Sequence, residues 1–184
     1  MKIAGICGSL RAGSFNRMLL EAAQKLCPAG AAIDIVDFKD LPLFNQDLEG
    51  NLPEAVKIFK AKIAACDAVL FVTPEYNYSL PGPLKNAIDW GSRPYGASCW
   101  SGKPVCVMGA TSGNSGTAKA QQHLRQCFVF LNMQPVQQPE VLMMTAATRF
   151  NDKGELTDDY FKKNIPEALA ALVALTKTLK GGEQ

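Results

Sequence analysis

The chain has 184 residues, 47% of them hydrophobic and 20% charged, values of an ordinary globular domain that exclude a disordered, collagen-like or low-complexity chain. Nineteen basic against 17 acidic side chains leave a net charge of +2, and the scatter of those charges provides no basic stripe for a nucleic acid. Six cysteines without a C-x-x-C pair and a single histidine leave little material for a metal site or a Ser-His-Asp triad.

Short β-rich runs alternate with amphipathic helical patterns from end to end, the rhythm of a parallel sheet with helices on both faces, and the length suits one domain over residues 1–184. Met1-Lys2-Ile3 leads directly into the first strand, Ile3–Gly8, without a basic leader or cleavage site. No segment approaches the roughly 18 apolar residues of a membrane span, so the expected setting is the cytoplasm, away from membranes. Cys7, Cys27, Cys66, Cys99, Cys106 and Cys127 then read as reduced, mostly buried thiols.

A helix follows with Met18, Leu19, Ala22, Ala23 and Leu26 on one face. Ile33, Ile35 and Val36 form an edge-proximal second strand with Asp34 pointing out, and Pro53 opens a helix carrying Val56, Phe59, Ile63 and Cys66. Ala68–Thr73 is apolar throughout and reads as a central strand. A helix spans Pro83–Trp90, Val105–Gly109 is the fourth strand, and the next helix buries Ala120, Leu124, Cys127, Phe128 and Leu131. Val141–Met144 is the fifth strand. The last helical region follows Thr157, with Asp158 and Asp159 in its first turn and Pro166 expected to break or restart it.

Ligands of open α/β sheets bind beyond the carboxyl ends of the strands, where strand order reverses. The loop after the first strand, Gly8-Ser9-Leu10-Arg11-Ala12-Gly13-Ser14-Phe15-Asn16, holds hydroxyls, glycines, an arginine and no acid, and it opens a helix. Backbone N–H groups, the helix dipole, Ser9, Ser14 and Arg11 together suit a phosphate. Gly5, Gly8 and Gly13 do not make G-x-G-x-x-G, and no Gly-Lys-Ser/Thr follows, which removes the support for a dinucleotide fingerprint and a P-loop; a monophosphate such as that of FMN suits one compact loop. The loop Pro74-Glu75-Tyr76-Asn77-Tyr78-Ser79-Leu80-Pro81-Gly82-Pro83 is stiffened by proline and offers aromatic surface and polar groups to a flat ring. Thr111–Gly116 is a small Gly/Ser turn that lets a ring approach the backbone.

Gly8-Ser9-Leu10-Arg11 with Ser14 and Asn16, then Pro74-Glu75-Tyr76-Asn77-Tyr78-Ser79 with Pro81-Gly82, Leu84-Lys85-Asn86-Ala87 and Asp89-Trp90, resembles the NAD(P)H-dependent FMN reductases, a family that includes bacterial chromate, quinone and azo-dye reductases. The likeness extends to His123-Leu124-Arg125-Gln126 and is weakest after about Phe150. It implies a flavodoxin-like three-layer α/β fold with a five-stranded parallel sheet in the order 2-1-3-4-5. It also implies tightly held, non-covalent FMN, with hydride transfer from NADH or NADPH to the flavin and on to a second small-molecule acceptor in ping-pong fashion. By the same resemblance Ser9, Arg11, Ser14, Phe15, Asn16 and Met18 line the phosphate and ribityl end, Pro74, Glu75, Tyr76 and Asn77 contact the isoalloxazine, and Ser112 lies near the ring.

No side chain is expected to act as a catalytic acid or base, because hydride transfer between nicotinamide and flavin needs none at carbon. Glu75 is therefore read as positioning its loop, and His123 as a surface or interface residue. The alternatives are a flavodoxin-type electron carrier, disfavoured by the net +2, and a flavin-binding redox regulator. Trp90, Tyr95 and Trp100 are large side chains expected at a partner subunit, making a homodimer, or a homotetramer through the helix of His123 and Arg125.

Overall fold

In the computed structural model, which describes residues 1–181, the chain builds one parallel sheet. Its strands are β1 (Lys2–Cys7), β2 (Ala32–Ile35), β3 (Ala68–Val72), β4 (Pro104–Ala110), β5 (Gln134–Pro135) and β6 (Val141–Met143). The order is β2-β1-β3-β4-β5, with β6 also pairing β4. The helices are α1 (Phe15–Lys25), α2 (Glu54–Ala64), α3 (Gly82–Gly91), α4 (Ala118–Leu131) and α5 (Asp159–Gly181). The flavodoxin-like α/β order expected from the sequence is therefore present.

Successive strand residues face opposite sides of a sheet, and β3, buried at every position, uses both. Ala68, Leu70 and Val72 enter one core with Leu19 and Leu20 of α1 and Leu169 and Leu172 of α5. Val69 and Phe71 enter the other with Phe59 and Ile63 of α2, Leu84 and Ile88 of α3, and Leu124 and Phe128 of α4. Each large apolar side chain sealed this way contributes about 1.5–3 kcal/mol. Two cores on two faces give the three layers and hold β1, β3 and β4 in parallel, with their carboxyl ends side by side.

The fifth strand is not the single segment Val141–Met144. Gln134–Pro135 pairs Pro104–Val105, and Val141–Met143 pairs Met108–Ala110, so two short pieces share the same edge of β4. Apolar periodicity missed the first piece because two residues carry no period. Pro166 does not break the last helix, which runs uninterrupted from Asp159 to Gly181. Burial of Ile165, Ala168, Leu169 and Leu172 against the sheet outweighs the lost N–H donor. Asp158 sits just outside the first turn, where its Oδ1 accepts from Phe161 N at 3.1 Å.

Trp90 and Trp100 do not await a partner. Both are fully buried, their indole N–H groups donate to the carbonyls of Pro42 (2.7 Å) and Ile88 (2.9 Å), and Trp100 packs on Phe59 and Phe71 at centroid distances of 5.9 and 5.7 Å. Gly91 makes this possible, since a Cβ there would overlap the Trp100 indole. Of the three aromatic residues, only Tyr95 is exposed. All six cysteines are free thiols; Cys127 is half-buried, and burial pushes Cys106 up to about 12 and Cys99 up to about 11.

Candidate functional site

The loops after β1, β3 and β4 meet in a cleft of about 270 Å³ lined by Ser9, Arg11, Ser14, Phe15, Asn16, Pro74, Glu75, Tyr76, Ala110, Thr111 and Ser112. The first wall is the anion loop. Ser14 caps α1, its Oγ and carbonyl oxygen accepting from Arg17 N at 3.4 and 3.0 Å, and the carbonyl also accepts from Met18 N at 3.1 Å. The amides of Phe15 and Asn16, the first of the helix, have no intrahelical acceptor. Arg11 lies over the Phe15 ring, its guanidinium carbon 5.5 Å from the centroid, and makes no ion pair among the described residues. By contrast, Arg17 is paired with Glu21 at 2.7 Å.

Asn16 has a second task that the sequence hides. Its Nδ2 donates to the carbonyl of Ala110 (2.8 Å) and its Oδ1 accepts from Ala110 N (2.9 Å), so a buried side chain clamps α1 to the end of β4. Gly109 brings that end close to the neighbouring loops. A Cβ there would collide with Thr117 Oγ1 and come within 2.6 Å of the Thr73 carbonyl oxygen.

The second wall is held by α4. Glu75 Oε2 accepts from Lys119 N (2.9 Å) and Ala120 N (3.2 Å), placing a carboxylate at the positive end of the helix. His123 Nδ1 and Ser79 Oγ are 2.9 Å apart, and Lys119 Nζ lies 4.1 Å from the Tyr78 ring centroid. The loop closes on itself through reciprocal backbone bonds of 3.0 Å between Tyr76 and Ser79, with Asn77 and Tyr78 at φ 51° and 64°, the geometry of a tight hairpin turn. Among the described residues Glu75 is the only carboxylate lining the cleft, and it is turned to the helix. The donor set, a free guanidinium with helix-start amides and hydroxyls, fits a phosphate monoester; the Pro74–Tyr76 backbone and the small residues Ala110–Ser112 opposite it fit a flat ring.

Two residues named for the site from the sequence are not among those lining the cleft. Met18 stands in the first turn of α1 and packs beside Gly154, outside the cleft lining. Asn77 is exposed at the turn tip, outside the cleft lining. The wall also holds Thr111, the first residue of the Gly/Ser turn named from the sequence, and Ala110, which the sequence did not single out; the signal for Ala110 is its position at the carboxyl end of β4.

Fold and cleft together define a flavodoxin-like α/β protein built to hold a phosphorylated flat-ring compound. The chain belongs to the NADPH-dependent FMN reductase family, which its residues 1–148 match. It is 46% identical to an NAD(P)H-dependent FMN reductase of Pseudomonas aeruginosa over 182 residues, 98% of either chain. It is 50% identical to a quinone reductase of Pseudomonas putida over 157 residues, 85% of this chain and 84% of the other. Among solved structures, the flavoenzyme NAD(P)H:(acceptor) oxidoreductase FerB of Paracoccus denitrificans superposes with a TM-score of 0.89 at 37% identity, covering 96% of this chain and 97% of that one.

Proposed function

We propose that the chain is an FMN-dependent NAD(P)H oxidoreductase that reduces quinones, with flavins, chromate and azo compounds as further acceptors, and that it works in the cytoplasm. The observation that carries this reading is the single cleft in which an acid-free anion loop faces a rigid ring-binding loop. The chemistry supplied by FMN, when bound, is acceptance of a hydride from NADH or NADPH and its release to the acceptor. The protein's part is positioning. Arg11, Ser9, Ser14 and the amides of Phe15 and Asn16 hold the phosphate; Pro74, Tyr76 and Ser112 border the ring; Glu75 keeps the ring loop on α4.

Reductant and acceptor use the same open face of the cleft in turn. Initial rates with NADPH and a quinone therefore give parallel double-reciprocal lines, and the purified protein is yellow and releases FMN on denaturation. Recovery of FAD, a colourless protein that takes up no FMN, or intersecting lines without substrate inhibition would overturn the reading. No helix among the described residues is long and apolar enough to cross a membrane.

We further infer a two-fold homodimer, or a homotetramer by a second pairing through α4. With Trp90 and Trp100 taken up by the chain's own core, support comes from Tyr95, Val129 and Phe130, which are 71%, 83% and 77% exposed. Arg125 is engaged within its own chain, donating to the Val136 carbonyl at 3.1 Å.

A further inference from the structure

A second cavity, of about 400 Å³, opens on the opposite side of the anion loop from the cofactor cleft. Ser9 and Arg11 stand on the ridge between the two and line both. Its far wall is Val36, Asp37, Phe38 and Lys39, the segment just past the end of β2, while Arg17 and Glu21 reach in from α1. The volume lies in the range of small-molecule sites, and the oxidoreductase reading leaves it without a task.

Its charges are specific. Arg17 and Glu21 neutralise each other, and with Arg11 turned to the cofactor phosphate by the reading above, Lys39 and Asp37 remain, neither of which makes an ion pair among the described residues. Asp37 Oδ1 accepts from Lys39 N at 3.0 Å, which fixes the carboxylate at the turn, and Oδ2 has no hydrogen-bond partner among the described residues. Leu10 is the apolar side chain exposed at this cavity, while Val36 and Phe38 are buried in the core beneath its wall.

In nucleotide-binding α/β sheets, a carboxylate past the second strand accepts hydrogen bonds from a ribose diol, and a nearby cation accommodates a 2′-phosphate. This cavity has both groups, two residues apart. We propose that it holds the adenosine ribose of the reductant, with Asp37 accepting from the diol of NADH and Lys39 pairing with the 2′-phosphate of NADPH. The absence of a G-x-G-x-x-G loop is consistent with this arrangement, since the N-terminus of α1 is committed to the cofactor phosphate and the dinucleotide is held from its ribose end. The proposal rests on the oxidoreductase reading and names a subsite of its reductant.

The test compares wild-type holoenzyme with Lys39→Ala and Asp37→Asn, an exposed lysine and an exposed carboxylate whose amide replacement keeps the Oδ1 acceptor. The readouts are kcat/KM for NADPH and NADH and direct titration with 2′,5′-ADP. Lys39→Ala should lower the NADPH:NADH ratio of kcat/KM and the affinity for 2′,5′-ADP about tenfold each, the effect of one charge-assisted contact, and Asp37→Asn should raise the ratio. Unchanged ratios in both variants, or an unchanged 2′,5′-ADP affinity in Lys39→Ala, would overturn the subsite. Failure of the underlying reading is recognised separately: the wild-type protein would then fail to oxidise 1-benzyl-1,4-dihydronicotinamide, a hydride donor with no adenosine.

Discussion

Among the described residues Arg11 is the one cation lining the cleft, and it lies over the Phe15 ring. Removing it leaves the ion pairs among the described residues intact and, on the proposed reading, deletes a charged donor to the phosphate. Arg11→Ala should weaken FMN binding by about 1.5–3 kcal/mol, the usual range for a hydrogen bond to a charged group, while riboflavin, which lacks the phosphate, loses little. Titration of both ligands against both proteins checks this, and an equal loss for riboflavin would mean that Arg11 acts through folding. Arg11 and Ser14 are legible in the sequence because they belong to one nine-residue loop. The clamp made by Asn16 is not, because its partner Ala110 is 94 residues away and only the packed sheet brings them together.

Among the elements, α4 carries the ring loop. Glu75 closes two N-terminal amides of the helix, and His123 and Lys119 meet the hairpin through Ser79 and Tyr78. Glu75→Gln keeps the shape and an acceptor but removes the charge at the helix start, so stability should fall by about 0.3–1 kcal/mol, read as a lower denaturant midpoint. The visible spectrum of bound FMN should shift as the loop loosens; an unchanged spectrum and midpoint would show that the loop holds without α4. In α5, Pro166 is accommodated within a continuous helix by the burial of its neighbours. Pro166→Ala restores a backbone donor and should raise stability by about 1–3 kcal/mol, visible as a higher midpoint of thermal unfolding.

At the scale of the whole molecule, the large apolar groups left in solvent include Tyr95 beyond α3 and Val129 and Phe130 at the end of α4. Tyr95 and Phe130 border one groove between these helices. Sedimentation at micromolar concentration should give at least a dimer, and Phe130→Asp, a change at an exposed position, should move the protein toward monomer with its circular dichroism preserved. A wild-type monomer with full activity would end the shared-interface reading and leave the cofactor assignment standing.

The sequence by itself determined the alternation of strands and helices, the central place of the apolar run Ala68–Thr73, and the two loops whose local chemistry suits a phosphate and a flat ring. These are signals of short range: strand burial, a helix cap and an acid-free loop are written within about ten residues each. The resemblance carried by Gly8–Asn16 and Pro74–Trp90 supplied the strand order. Only the tertiary structure decided that the fifth strand is two pieces, that α5 absorbs Pro166, that Trp90 and Trp100 turn inward, and that Met18 and Asn77 stand outside the cleft. It alone gathered Arg11, Asp37 and Lys39 around one cavity. The physical reason is common to all of these: each depends on which faces the packed sheet leaves free, a balance of burial between segments that no local period records.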